Sequence, residues 1–177
     1  MRAEYLGKSQ TFLLRDWQVS DREAAANVVK TVLEEYGLGW ETNCQGCSDQ
    51  DVVEVEKYYH QTGGEFWVVE SNGQIVGTGG YYPITRGDDA VEIRKMYLLP
   101  SARGQGLGRF LLRRLEQAAA QKGFTEVWVE TATVLKEAVQ LYERYGYEPA
   151  SGVETERCDK VYRKAIAALR FESAIAE

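Results

Sequence analysis

The sequence is poor in the residues that mark several protein classes. Among its 177 residues there are three prolines, three cysteines and a single histidine, His60. No apolar run approaches the ~20 residues needed to cross a bilayer. The opening Met-Arg-Ala-Glu-Tyr-Leu-Gly-Lys lacks the apolar core of a secretory signal. Cys44 and Cys47 form one Cys-x-x-Cys, with Cys158 far away, and no second pair or paired histidines exist to complete a four-ligand zinc site. The polar surroundings of that pair, Asn43 to one side and Ser48 to the other, do not match the strand-to-helix setting of a redox dithiol. Reduced thiols, no metal, no membrane and a cytoplasmic location are expected. A net charge of −6 argues against a nucleic-acid partner.

What remains is an ordinary globular composition, 44% hydrophobic and 27% charged. A chain of this length buries roughly 70% of its unfolded surface. No repeat or linker divides it, so residues 1–177 are expected to form one domain, and a homodimer is compatible with that size. The charge is not spread evenly. Residues 1–90 carry 7 basic and 15 acidic side chains, residues 91–177 carry 14 and 12. Residues 34–56 hold seven acids and no base, and residues 94–114 hold six bases and no acid. A short cationic stretch inside an acidic chain points to a local anion site.

Hydrophobic periodicity orders the elements. A strand is expected over residues 11–16 and a helix from Ser20 or Asp21 to about Tyr36, stopped by Gly37. A second helix is expected over 49–61, with Val52, Val53 and Val55 as anchors. Residues 65–70 and 74–82 flank Asn72-Gly73, which is a hairpin signal. In the strand expected over 90–98, Val91 and Ile93 alternate while Met96 and Leu98 continue one residue out of step, so a β-bulge is expected near Arg94-Lys95. A helix over 105–122, a strand over 124–131, a helix over 134–145 and a strand over 157–166 complete the order. The expected fold is α/β (α+β): a mixed, mostly antiparallel twisted sheet of about six to seven strands with helices on both faces.

The chemistry centres on Arg103-Gly104-Gln105-Gly106-Leu107-Gly108-Arg109, where a strand runs through glycines straight into an amphipathic helix. Glycines let a ligand approach the backbone closely, and the first helix amides favour a phosphate. Walker A would need Gly-Lys-Ser/Thr, and the dinucleotide pattern would need Gly or Ala at Arg109, so both fail. The pattern Arg/Gln-x-x-Gly-x-Gly/Ala is met in full by Arg103, Gly106 and Gly108. This segment resembles the acetyl-CoA motif of the GNAT superfamily of N-acetyltransferases. The strand before it, residues 91–100, and the later Trp128-Val-Glu-Thr and Leu-Tyr142-Glu-Arg-Tyr-Gly-Tyr147 resemble that superfamily as well. The resemblance spans about residues 65–162. One departure is Leu135, at a position where the superfamily often carries Asn; it removes a polar side-chain contact and leaves the backbone cradle.

The resemblance implies acetyl-CoA as cosubstrate, no metal, and transfer of an acetyl group to a small amine acceptor. It implies that backbone groups of Met96, Tyr97 and Leu98 meet the pantetheine arm and that the turn, Arg103 to Arg109, holds the pyrophosphate beside Leu135. It further implies Tyr142 as the acid at the sulfur. Glu92, an acid in an otherwise apolar strand, is the candidate base; His60 suits a base by pKa but falls at a helix end. The acids of residues 34–56 with Trp40, Glu41, Tyr58, Tyr59, Tyr81 and Tyr82 suggest a negative, aromatic wall for a cationic amine, with Asp49 and Asp51 among its acids. Acetylation of a protein N-terminus or lysine, and a non-catalytic acyl-CoA sensor, are the alternatives.

Overall fold

The computed structural model describes residues 1–42 and 48–167. The Cys44–Cys47 pair lies outside the described residues. The chain orders as β1 (Arg2–Leu6), β2 (Thr11–Asp16), α1 (Arg22–Glu35), α2 (Gln50–Val53), β3 (Glu65–Ser71), β4 (Gln74–Ile84), β5 (Ala90–Leu98), α3 (Leu107–Gln121), β6 (Glu126–Thr131), α4 (Lys136–Arg144), β7 (Glu148–Pro149) and β8 (Lys160–Ala165). The strands form one sheet of eight in the order β1-β2-β3-β4-β5-β6-β8-β7. Neighbours run antiparallel except β5 and β6, which are parallel. Two strands exceed the sequence expectation: β1, an edge strand, and the two-residue β7.

The two faces of the sheet carry different helices. Leu107, Leu111, Leu112 and Leu115 of α3, with Tyr142 of α4, pack on Trp67, Val91, Ile93, Val127 and Val129. On the opposite face Ala25, Val29 and Leu33 of α1, Val52 of α2 and Tyr59 pack on Phe66 and Val68. Gly79 and Gly80 let these layers approach. A Cβ on Gly79 would lie 3.1 Å from Leu111, and one on Gly80 would lie 2.7 Å from the Glu65 carbonyl oxygen and 2.8 Å from the Tyr59 ring. Asn72 and Gly73 turn the β3–β4 hairpin with φ of 51° and 75°.

The helix expected over 49–61 is interrupted. After α2 the chain forms a π-helical turn, Glu56–His60, in which the Gln61 amide donates to the Glu56 carbonyl at 2.9 Å. Val52, Val55 and Tyr59 are all fully buried, whereas Val53 is half-buried. Meanwhile Asp49 and Asp51 are drawn inward to cations of β5. One unbroken α-helix does not satisfy both demands, and a wider turn absorbs the mismatch. His60 ends that turn exposed, edge-on to Trp17 at 5.9 Å.

The bulge in β5 lies where the change of apolar phase indicates. Thr78 pairs with Tyr97 and Gly80 with Arg94, so Lys95 and Met96 together face the single residue Gly79. Lys95 takes φ of 53°, a left-handed geometry uncommon for a side-chain-bearing residue. On its other edge β5 pairs with β6 only from Ala90↔Glu126 to Ile93↔Val129. Beyond Ile93 the two strands part, and the opening between them is the floor of the site. Among the described residues no helix is long and apolar enough to cross a membrane.

Because a Cβ on Gly80 would meet fixed backbone and two buried rings, Phe66 and Tyr59, Gly80→Ala is expected to destabilise the fold by about 2 kcal/mol, lowering the melting temperature by about 4–8 °C. Thermal unfolding followed by circular dichroism measures it; an unchanged melting temperature would refute the close packing described here.

Candidate active site

A cavity of about 790 Å³ opens where β5 and β6 part. Its walls come from β5 (Glu92 to Leu98), the glycine turn, the end of β6 (Glu130 and Thr131), α4, the C-terminal end of α1 and the segment before β8. It brings together Glu92, Met96, Tyr97, Leu98, Arg103, Gly104, Gln105, Gly106, Gly108, Arg109, Leu135 and Tyr142. Leu107 is the exception among the turn residues: its side chain is buried in the core beneath α3, so only its backbone is available at the helix start.

The turn is shaped from two sides. Gly106 takes φ of 84° immediately before α3, a conformation in which glycine avoids the clash of a Cβ. The amides of Gly104, Gln105 and Gly106 have no acceptor among the described residues, and they lead into the free amides of the first helical turn. From the N-terminal strand, Tyr5 donates its hydroxyl to the Gln105 carbonyl at 2.7 Å. Such a cradle of unsatisfied donors at a helix start fits a phosphate. Arg103 does not add its charge there. Its Nε donates to the Leu98 carbonyl at 2.7 Å and its two terminal nitrogens grip Glu35 of α1 at 2.7 Å each. It pins α1 to the turn, and Tyr36 beyond it reaches Glu137 of α4 at 3.3 Å.

Deeper in the cavity sit two carboxyl groups with opposite environments. Glu130 accepts from the amides of Glu154 and Thr155 at 2.9 and 2.8 Å and from Arg86 at 2.8 Å. Those donors outweigh its burial and hold its pKa below the usual carboxylate range. Glu92 is 4% exposed and makes no hydrogen bond to any described residue; Arg86 passes it at 3.7 Å. Burial pushes Glu92 up to about 7, Arg94 and Arg86 opposing the shift and Glu130 reinforcing it. The ion pair at 3.7 Å is too long to hold the carboxylate charged, since the Arg86 donors are committed to Glu130 and the Gly152 carbonyl. A separation of two carboxyl pKa values by environment is characteristic of acid–base sites.

Across the opening, Tyr142 is 5% exposed and its hydroxyl has no hydrogen-bond partner among the described residues. Burial raises its pKa, helped by Tyr97 and Cys158. Cys158, half-buried on the same wall, is pushed up to about 11 by burial and by Glu130.

The expected acidic wall is corrected. Asp49 is fully buried and chelated by two cations: Arg157 donates to its two oxygens at 2.7 and 2.6 Å, and Lys95 donates at 2.7 Å. Burial alone would raise Asp49, but these partners hold it at about 2. Asp51 accepts from Tyr59 at 2.9 Å and faces Arg94 at 3.5 Å. Both acids are neutralised inside the protein. Trp40, Glu41 and Tyr81 lie outside the cavity. Trp40 packs against the α1 cluster, the exposed Glu41 accepts from Ser48 at 3.3 Å, and Tyr81, on the α3 face, is fully buried and donates to Glu65 at 3.2 Å. Lys95, Arg157, Cys158, Glu130 and Arg86 join the site without having been marked by the sequence. Only the phase change beside Lys95 gave any local signal.

The family profile described as Acetyltransferase (GNAT) family matches residues 29–147. The chain is 38% identical over 140 residues to the uncharacterized N-acetyltransferase YjgM of Escherichia coli (strain K12), covering 78% of this chain and 83% of that protein. It is 33% identical over 116 residues to N-acetyltransferase 8 of Rattus norvegicus, covering 63% of this chain but only 52% of the relative, and similar vertebrate relatives are likewise spanned over about half their length. Among solved structures, an acetyltransferase of the GNAT family from Staphylococcus aureus Mu50 superposes with a TM-score of 0.78 at 17% identity over 87% of this chain and 98% of that one. YncA of Salmonella typhimurium, solved with its cofactor acetyl-CoA, gives a TM-score of 0.67 at 20% identity, over 87% of this chain and 93% of that one. These structural likenesses concern the fold.

The raised pKa of Glu92 has a consequence for stability. The folded state binds that proton more tightly than the unfolded chain, whose carboxyl titrates near 4.5. Its contribution is therefore complete below pH 4.5 and lost as pH rises toward 7. Relative to wild type, Glu92→Gln should gain up to about 3 kcal/mol between pH 4.5 and pH 7.5, read from urea midpoints at each pH. A difference independent of pH would show that Glu92 is not held in this environment.

Proposed function

The chain belongs to the acetyltransferase (GNAT) family, and from that premise we propose that it transfers an acetyl group from acetyl-CoA to the primary amine of a small molecule, by direct attack within a ternary complex, with Glu92 as base and Tyr142 as acid. The observation that carries this reading is the pairing, on one cavity, of a buried carboxyl pushed up to about 7 with a buried phenol whose hydroxyl has no partner among the described residues. Acetyl-CoA, when bound, supplies an activated acyl group and a sulfur leaving group.

The residues divide the work by their environments. Glu92, part ionised near neutrality, takes a proton from the attacking amine. The backbone of β5 beyond Ile93 has no β6 partner, so Met96 and the Leu98 amide are assigned to an amide-bearing arm that extends the ladder, the Leu98 carbonyl already accepting from Arg103. An amide at Met96 or Tyr97 is the donor assigned to the carbonyl oxygen as negative charge builds on it. Tyr142, a phenol already protonated at neutral pH and held further from ionisation by burial, donates to the sulfur as the carbon–sulfur bond breaks. The unpartnered amides of Gly104 to Gly106 fit the pyrophosphate. Leu135 lines the same cavity with an apolar side chain, which offers the ligand no hydrogen bond.

A small acceptor is favoured over a peptide by the wall that the segment before β8 adds to the cavity. Thr155, Arg157 and Cys158 form it, and Arg157 ties it to Asp49 and to the Gly39 carbonyl at 3.1 Å. With Asp49 and Asp51 neutralised internally, charge does not select a polyamine. A thiol-release assay over small amines, amino acids, polyamines and peptides tests the reading. Turnover confined to peptides would overturn the small-molecule acceptor, and uniform background hydrolysis would point to an acyl-CoA sensor.

Tyr142→Phe is expected to lower kcat by about 10²- to 10³-fold with the KM for acetyl-CoA essentially unchanged; a kcat like that of wild type would remove Tyr142 as the acid. In wild type, kcat/KM for the amine should rise with an apparent pKa of about 7, and Glu92→Gln should abolish that limb. A limb that persists in the variant would assign it to another group.

A further inference from the structure

Of the six bases of residues 94–114, Arg109, Arg113 and Arg114 lie on α3 and Arg103 is held by Glu35. Arg94 and Lys95 belong instead to a buried cluster on β5, just beyond Glu92. Two carboxylates serve that cluster. Asp51 faces Arg94 at 3.5 Å and Lys95 at 3.4 Å, and Asp49 receives Lys95 at 2.7 Å. Arg157, from outside that stretch, is a third cation and grips the same Asp49 at 2.6 Å. Three cations therefore meet two carboxylates. Arg94, Lys95 and Arg157 line the main cavity, whereas Asp49 and Asp51 do not.

Among the described residues, the other groups on that wall do not supply the missing negative charge. Glu130 is already matched by Arg86 at 2.8 Å. Burial pushes the Tyr97 hydroxyl up to about 12 and the Cys158 thiol up to about 11, so both are neutral near pH 7. Burial also lowers the Lys95 pKa, and Arg94 and Arg157 lower it further against the pull of Asp51 and Asp49: the cations crowd one another. Glu92 shares a strand face with Arg94, whose guanidinium donates to the hydroxyl of Tyr82, the residue paired with Glu92. An ionised Glu92 balances the surplus. Once Glu92 has taken the amine's proton, that balance is lost. A carboxylate on the acceptor restores it. One negative charge is the amount required, and a phosphate monoester would bring about −1.5 to −2. Arg157 has a donor for it. Its terminal nitrogens serve Asp49 and the Gly39 carbonyl, and its Nε makes no hydrogen bond to any described residue.

We propose that the acceptor carries a carboxylate beside its amine, as an α-amino acid does, and that Arg157 holds this carboxylate, with Arg94 adding its charge, while Glu92 meets the amine. This narrows the small-amine reading argued above and rests on it. Arg157 is then a specificity-determining residue, selecting amino acids over amines of the same shape that lack the carboxylate.

Steady-state thiol release at saturating acetyl-CoA tests the proposal, with the standard α-amino acids, their α-carboxamides and the matching decarboxylated amines as acceptors. The carboxamide has a less basic amine than the free amino acid, so without a carboxylate subsite it should be the better acceptor at neutral pH. At least one amino acid should instead exceed both of its analogues in kcat/KM by about tenfold or more, with the difference mainly in KM. Arg157→Gln should bring that ratio close to one, and Arg157→Lys, which keeps the charge, should retain part of it. Melting curves check that the variants are folded; where Arg157→Gln does not fold, the wild-type ratios and Arg157→Lys decide. Carboxamides or amines that match or exceed every amino acid in wild type would overturn the subsite and leave the small-amine reading intact. A ratio unchanged in folded Arg157→Gln would overturn the assignment to Arg157. Thiol release above background with none of these acceptors would overturn the small-amine reading, and the subsite with it.

Discussion

The buried carboxylate of Asp49 is the contact on which the working end of the molecule depends. It holds Lys95, at the left-handed residue of the β5 bulge, and Arg157, on the segment that leads into β8. Its second oxygen also receives the Glu41 amide at 2.9 Å. One side chain thus ties the loop before α2, the bend in β5 and the far wall of the cavity. Removing one member of such a buried cluster leaves the others uncompensated, at a cost of about 3–5 kcal/mol. The bend it secures turns β5 away from β6, and the cavity exists because of that divergence.

Much of the frame was legible because its causes are local. Asn72-Gly73 fixes a hairpin by two positive φ angles, and the leucines of α3 repeat at helical spacing on the sheet. The bulge showed as a change of apolar phase between Ile93 and Met96. The glycine turn was legible for the same reason, since its function resides in backbone amides that no distant residue needs to complete. Edge strand β1 was not: Ala3 and Tyr5 alternate too briefly to stand out, and its pairing with β2 creates it. The break after α2 was hidden because it answers a demand from Arg94 and Lys95, over forty residues away.

The candidate site followed the same division. Glu92 and Tyr142 were marked by residue type and by resemblance, and they line one cavity. The acceptor wall was misjudged because acids counted along the chain say nothing about which cations they meet. Asp49 and Asp51 were counted toward a negative surface, yet they are counter-ions to the very stretch, residues 94–114, whose positive excess was read as an anion site. After this cancellation, the free positive charge is narrower than the composition suggests and is confined to one face of α3. Arg103 shows the same effect at closer range: its place in the motif is that of a phosphate neighbour, and its partner is Glu35.

Among the described residues, the four parallel pairs between β5 and β6 are the only ladder joining β1–β5 to β6, β8 and β7. The sheet is therefore two plates joined at a short seam, open at one end. A molecule that hydrogen-bonds to both lips of that opening lengthens the seam and acts as a structural member of the sheet. By mass action, a ligand that binds only the folded state raises its stability with each tenfold excess over Kd. Departure of such a ligand returns the sheet to its four-pair seam and reopens the gap where the next one enters, so the sheet is at its longest only while the site is filled.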